Sequence, residues 1–130
     1  MAAIEQRSRK ETALRFLNLA AAGQAREAFR AYASAGFRHH NPSFRGDADS
    51  LAAAMDDVSA RNPQRVLEVQ RVLEDVEAGL VAIHARVRLQ PRGPAVAVVH
   101  IYRFEGDLIA ELWDVGQPVP DDAVNENGMF

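Results

Sequence analysis

The chain has 130 residues, no cysteine and a formal net charge of −3. That length bounds it to one domain with a single core, and the missing thiols exclude a disulfide framework, thiolate metal ligation and a cysteine nucleophile. Its 15 basic and 18 acidic side chains are spread along the chain, so no basic stripe points to nucleic acid, and no apolar run approaches membrane length. The opening from Met1 to Lys10 is polar rather than leader-like, which makes a cytoplasmic protein without nucleic-acid or membrane partners the expectation.

From about Glu5 to Ala22, the apolar residues Ala13, Phe16, Leu17, Ala20 and Ala21 recur at helical spacing up to Gly23. Ala25, Ala28, Phe29, Tyr32 and Ala33 repeat that spacing, predicting a second helix that stops before Gly36. Phe37-Arg38-His39-His40-Asn41-Pro42 reads as a short extended piece, because a residue preceding proline is pushed out of the helical region. Gly46 and Asp47 open a third helix with the stripe Leu51, Ala54, Met55 and Val58, ended by Asn62-Pro63.

Beyond Pro63 the period changes from 3.6 to 2. Four strands are predicted, over Val66 to Val76, Leu80 to Gln90, Ala95 to Phe104 and Leu108 to Val115, joined by short turn-forming segments and therefore antiparallel in chain order. The tail from Pro118 ends in Met129-Phe130, an apolar end that predicts docking rather than fraying.

If the hairpins close without bulges, His84 faces His100, and His100 faces Leu112 diagonally to Asp114. One sheet face then carries His84, Val98, His100, Tyr102, Leu112 and Asp114, with Arg86 and Arg88 at its rim. The other carries Val81, Ile83, Val87, Val99, Ile101, Ile109 and Trp113. Both faces are largely apolar, so helices are expected to cover one and a second copy of the chain the other. The polar cluster assigns the His100/Asp114 face to a ligand cavity. A carboxylate on an apolar strand face needs a partner or a task.

The order helix, helix, short strand, helix, four-strand meander resembles the nuclear transport factor 2-like fold, the cystatin-like α+β cone. Three segments resemble the signature segments of the SnoaL-like polyketide cyclase group: His39-His40-Asn41-Pro42 with Gly46, Val98 to Asp107, and Ala110-Glu111-Leu112-Trp113-Asp114-Val115. The Asn125 to Phe130 ending resembles the tail of its small bacterial members. The resemblance implies three helices packed on a strongly curved antiparallel sheet with an internal pocket, Asp114 as acid/base and His100 as its neighbour. In that fold the His-Asn-Pro segment lines the pocket, which makes His40 and Asn41 substrate contacts; His84, Tyr102 and Leu112, on the His100 face by register, are expected to contact substrate as well, His84 also orienting His100. In ketosteroid isomerases the base is an Asp before a proline; Asn41 stands there, and an amide cannot abstract a proton. Where many members of the closer group have His before the Trp-Asp pair, this chain has Leu112.

Asp114 is thus the expected base, with an apolar wall to raise its pKa, and His100 the group that stabilises a developing enolate or relays a proton. The alternative gives both residues structural roles, Asp114 holding a loop amide and His100 satisfied within the core. Adjacent His39 and His40 on a strand point to opposite faces, so no metal site is expected, and no cofactor. The function expected is a cofactor-free cyclase or isomerase for a hydrophobic carbonyl metabolite of polyketide type. The alternative is a binding or accessory module with the same pocket.

Overall fold

The computed structural model describes residues 7–130. The expected helical start at Glu5 and Gln6, and most of the polar opening segment, lie outside the described residues. Helix α1 spans Arg9–Ala21, begun by Ser8, whose side chain accepts the amide of Glu11. It buries Thr12, Ala13, Phe16, Leu17 and Ala20, and Gly23 turns the chain out of it at φ +85°. Helix α2 spans Ala25–Tyr32.

The second helix is shorter than its stripe predicts. Ala33 is already extended, and strand β1, Ala33–His39, follows without a connection. Tertiary pairing overrides helix propensity there: β1 lies parallel to the last strand of the sheet, with Ala33 beside Ile109 and His39 beside Leu112. Helix α3 spans Ala48–Arg61, where Asp47 accepts the amide of Ser50 and places a carboxylate at the positive end of the helix.

The meander follows as β2 (Val66–Asp75), β3 (Leu80–Arg88), β4 (Ala95–Glu105) and β5 (Leu108–Pro118), antiparallel in chain order. With β1 added on the β5 side, the five-stranded sheet runs β1-β5-β4-β3-β2. The three helices pack on one face. Phe16 meets Phe29 and Tyr102 edge to face, at 4.9 and 5.7 Å between ring centres, and Phe29 meets Phe37 at 5.0 Å. Val81, Ile83, Tyr102, Phe104, Ile109 and Leu112 complete this core from the sheet.

The register departs from the bulge-free expectation in two hairpins. Between β3 and β4 it is Ile83, not His84, that faces His100. A slip of one residue exchanges the faces of a whole strand. Val81, Ile83 and Val87 therefore join the helix-covered inner face, while His84, Arg86 and Arg88 go to the outer one. Between β4 and β5 two deviations cancel. The turn is two residues long, with Gly106 at φ +60°, so Glu105 faces Leu108. A one-residue bulge at Ala110 then restores the parity, and His100 comes to face Asp114 directly. Ile109, before the bulge, is inner and fully buried, whereas Trp113, Ile101 and Val99 remain on the outer face.

Candidate functional site

Inner-face alternation brings together His100, Tyr102, Leu112 and Asp114, all placed there by the β4–β5 pairing. His100 and Asp114 are a directly opposed cross-strand pair, which sets their Cβ atoms ~5 Å apart. Asn41, just beyond β1, donates from Nδ2 to Asp114 Oδ2 at 3.0 Å. Its own Oδ1 accepts the amide of Ser43 at 2.9 Å, and its backbone N–H donates to His39 Nδ1 at 3.1 Å, so the Asn41 side chain is held in one orientation. That orientation leaves the amide hydrogens for Asp114.

His100 lines a pocket of about 790 Å³ between α1, α3 and the half of the sheet nearest the β3–β4 hairpin. The volume lies within the ~300–1,000 Å³ usual for small-molecule sites. Its walls are chiefly apolar, with Leu17, Met55, Val58, Leu67, Val87 and Val98 as the larger contributors. Asp114, Tyr102 and Leu112 do not line it; they flank His100 farther along the sheet. Tyr102 stacks beside His100 at 6.1 Å and is buried, as is Leu112.

Burial pulls the His100 pKa below its ordinary value of 6.5, and the negative charge of Asp114 opposes that shift without reversing it. The ring is therefore neutral at pH 7. Burial, and then the neighbouring Asp114 charge, push the Tyr102 phenol well above its usual range, so it stays protonated. Two buried side-chain nitrogens among the described residues have no hydrogen-bond partner, Arg86 Nε and His100 Nε2, and only His100 belongs to the pocket. Such an atom is costly unless a ligand or water completes it.

His84 and His40 are not in this site. His84 lies on the outer face, against Arg71 and stacked on Phe130 at 5.6 Å. Phe130 also covers Arg86, with the guanidinium carbon 4.1 Å from the ring centre, so the tail docks as its apolar end predicts. Arg86 and Arg88 pair with Glu68 rather than edging the pocket. His40 stacks on Trp113 at 5.0 Å and meets Glu111 Oε2 through Nε2 at 2.6 Å. The chain crosses the sheet edge at this point, sending Asn41 inward and His40 outward.

The outer face holds a polar cluster that strand parity alone does not reveal. Glu111, only 4% exposed, takes bonds from His40, Arg38 and Arg103. The hydrogen bond from His40, followed by those from Arg38 and Arg103, holds its carboxyl at about 2. The signal for this cluster is the cross-strand Arg103–Glu111 pair, which emerges only once the Ala110 bulge is known. Likewise Met55 and Val58 read in sequence as core stripe, yet they wall the pocket. Among the described residues no three His, Asp or Glu side chains are grouped to hold a metal ion, and no helix is long and apolar enough to cross a membrane.

A layer of three helices on a mixed five-stranded sheet, with a pocket between them, is the nuclear transport factor 2-like, or cystatin-like, α+β fold. The chain matches the SnoaL-like domain over residues 13–112 and belongs to that family. Similar solved structures include a nuclear transport factor 2-like protein of unknown function from Cytophaga hutchinsonii, 15% identical over 88% of this chain and 95% of that one, with a TM-score of 0.71. A candidate SnoaL-like polyketide cyclase from Jannaschia sp. is 19% identical over 88% and 92% of the two chains, at 0.69. A candidate hydroxylase from Streptomyces galilaeus is 19% identical over 84% and 88%, at 0.68. No curated protein matches the sequence.

Proposed function

We propose that this protein is a cofactor-free acid/base enzyme of cyclase or isomerase type, acting on a hydrophobic carbonyl compound of polyketide type in the pocket beside His100. The observation that carries this reading is the His100–Asp114 pair: a partly buried, neutral imidazole whose buried Nε2 has no partner in an apolar pocket, backed across the strand by a carboxylate. Buried side-chain nitrogens in a purely structural setting usually have a hydrogen-bond partner. The SnoaL-like family and the candidate cyclase among its structural relatives support the same chemistry. Fold alone does not, since the same architecture serves a candidate hydroxylase.

In this reading a C–H made acidic by the neighbouring carbonyl is presented to His100. The neutral ring takes the proton, and the resulting imidazolium is stabilised by Asp114, which Asn41 holds in place. Return of the proton to another carbon isomerises the compound; attack of the carbanion on a second carbonyl closes a ring, and the alkoxide so formed takes the proton back from the imidazolium. Asp114, expected to be the base, sits behind His100 rather than on the pocket wall, so the proton-accepting role passes to His100 and the charge-stabilising role to Asp114. The rate should rise with pH through the lowered His100 pKa and level off by neutrality, because only the neutral ring accepts a proton.

The test is exchange of acidic C–H for deuterium in a panel of β-keto esters. His100→Phe should slow exchange by roughly two to four orders of magnitude, and Asp114→Asn should slow it by a comparable factor while binding changes little. Binding without exchange by the wild-type protein supports instead a non-catalytic ligand carrier. The observation favouring that second reading is the amide, rather than a carboxylate, at Asn41.

A further inference from the structure

The pocket is polar at its inner end and apolar at its mouth. Along β4 its lining runs from Ala95 and Val96 beside the hairpin, through Val98, to His100, beyond which Tyr102 and Phe104 are closed core. Val96 and His100 are four residues apart, ~13 Å along a strand. Three large apolar side chains of the lining have substantial exposure: Leu89 at 47% and Val96 at 37%, beside the β3–β4 hairpin, and Phe44 at 39%, in the connection from β1 to α3. An isolated exposed hydrophobe needs no explanation, but three lining one pocket form a surface that an apolar group would cover.

Of the other polar side chains of the lining, Asn62 and Arg65 have partners, Gln90 lies at the rim, and Ser59 is a buried hydroxyl in the last turn of α3. Asn62 donates to the carbonyl of Val58, and Arg65 donates to those of Ser59 and Asn62, so both close the C-terminal end of α3. Gln90 is exposed at the rim. Among the described residues no carboxylate lines the pocket, and the one cation there, Arg65, spends Nη1 on two carbonyl oxygens. A ligand carboxylate or phosphate drawn in against His100 would shed its hydration in an apolar cavity, opposite the Asp114 carboxylate.

We propose that the pocket takes an uncharged, elongated apolar compound with one oxygen function at its end, bound oxygen-first against His100 with its apolar tail leaving between Phe44, Leu89 and Val96. This rests on the reading of His100 as the polar group that meets the ligand. It adds the charge, the orientation and the length dependence of what is bound. The buried His100 nitrogen supplies a directional contact, donating to the ligand oxygen in the tautomer that carries its hydrogen there and accepting a proton in the other, and chain length supplies the affinity.

The test uses calorimetric titration of methyl ketones of roughly six to fourteen carbons and of fatty acids of the same lengths at neutral pH. Ketone affinity should rise about three- to fourfold per methylene until the tail passes the rim, and the fatty acids should bind at least tenfold more weakly, reflecting the unmet cost of burying a charge. Phe44→Ser and Leu89→Ser, both at exposed positions, should weaken long ketones and spare short ones. His100→Phe should weaken all ketones about tenfold. Fatty acids binding as tightly as ketones, rim variants acting equally on all lengths, or no binding of any ketone would each overturn the proposal. Exchange of the ketone C–H in heavy water, followed on the same samples, keeps the two readings apart. Length-dependent binding without exchange sustains this proposal and removes the enzymatic one, whereas exchange insensitive to the rim does the reverse.

Discussion

At the scale of single residues, the two sheet faces each carry an ionisable group in an unusual setting, and acid affects them in different pH ranges. His100 titrates below 6.5 in the folded protein. Between that value and its folded pKa the unfolded chain binds a proton that the native chain refuses, so stability falls as the pH drops from 6.5. Glu111 sits at about 2 against an ordinary 4.5. Its contribution is complete above 4.5 and is lost as the pH falls toward 2. Urea unfolding across this range is expected to show both losses in the wild type, only the more acid one in His100→Phe, and only the milder one in Glu111→Gln. Glu111→Ala leaves Arg38, His40 and Arg103 without their acceptor. We expect it to destabilise the protein by about 2–3 kcal/mol, less than a wholly buried pair because the Arg38 side chain is 67% exposed and that of His40 46%. A change under 0.5 kcal/mol in urea unfolding would show the cluster to be ornamental to stability.

At the scale of elements, the start of α2 is tied to the middle of α3. Gln24 precedes α2 but forms no side-chain cap. Asp56 of α3 supplies the acceptor instead, taking the Ala25 amide at 2.8 Å and the Arg26 amide at 3.4 Å, with an ion pair to Arg26 at 3.5 Å. A carboxylate from a neighbouring helix thus satisfies the orphan amides and meets the positive end of the dipole. Asp56→Ala should cost about 1 kcal/mol in denaturant unfolding, as loss of a local cap does. Asp56→Asn, which keeps an acceptor, should cost less. Equal losses would mean that the charge, not the hydrogen bond, holds α2.

For the whole molecule, the outer face remains to be covered. Phe130 shields the His84 and Arg86 end, while Val99, Ile101 and Trp113 stay partly exposed and Val115 is 67% exposed. We propose that a second copy of the chain packs on this face, since an apolar strip flanked by arginines and the Glu111 cluster is self-complementary in both polarity and charge. Sedimentation at micromolar concentration should give a dimer, and Ile101→Glu should give a folded monomer. A wild-type monomer would set the proposal aside.

Helical and strand periods were readable in the sequence because each is a local property of side-chain spacing: three helices, four antiparallel strands and their turns lie close to where the pattern puts them. The shared face of His100 and Asp114 was readable for the same reason, though only because a tight turn and a bulge offset each other. What lies across from a residue is not local. It depends on how many residues each loop spends before pairing begins, and one residue at the β3–β4 hairpin moved His84, Arg86 and Arg88 away from the pocket. The parallel docking of β1 on β5 likewise follows from contacts between residues some 70 positions apart, and it set Asn41 on Asp114 and His40 on Glu111. The sequence by itself therefore determined the elements and the candidate pair. Tertiary structure decided which group of that pair meets the pocket, because burial and strand register are properties of the assembled sheet.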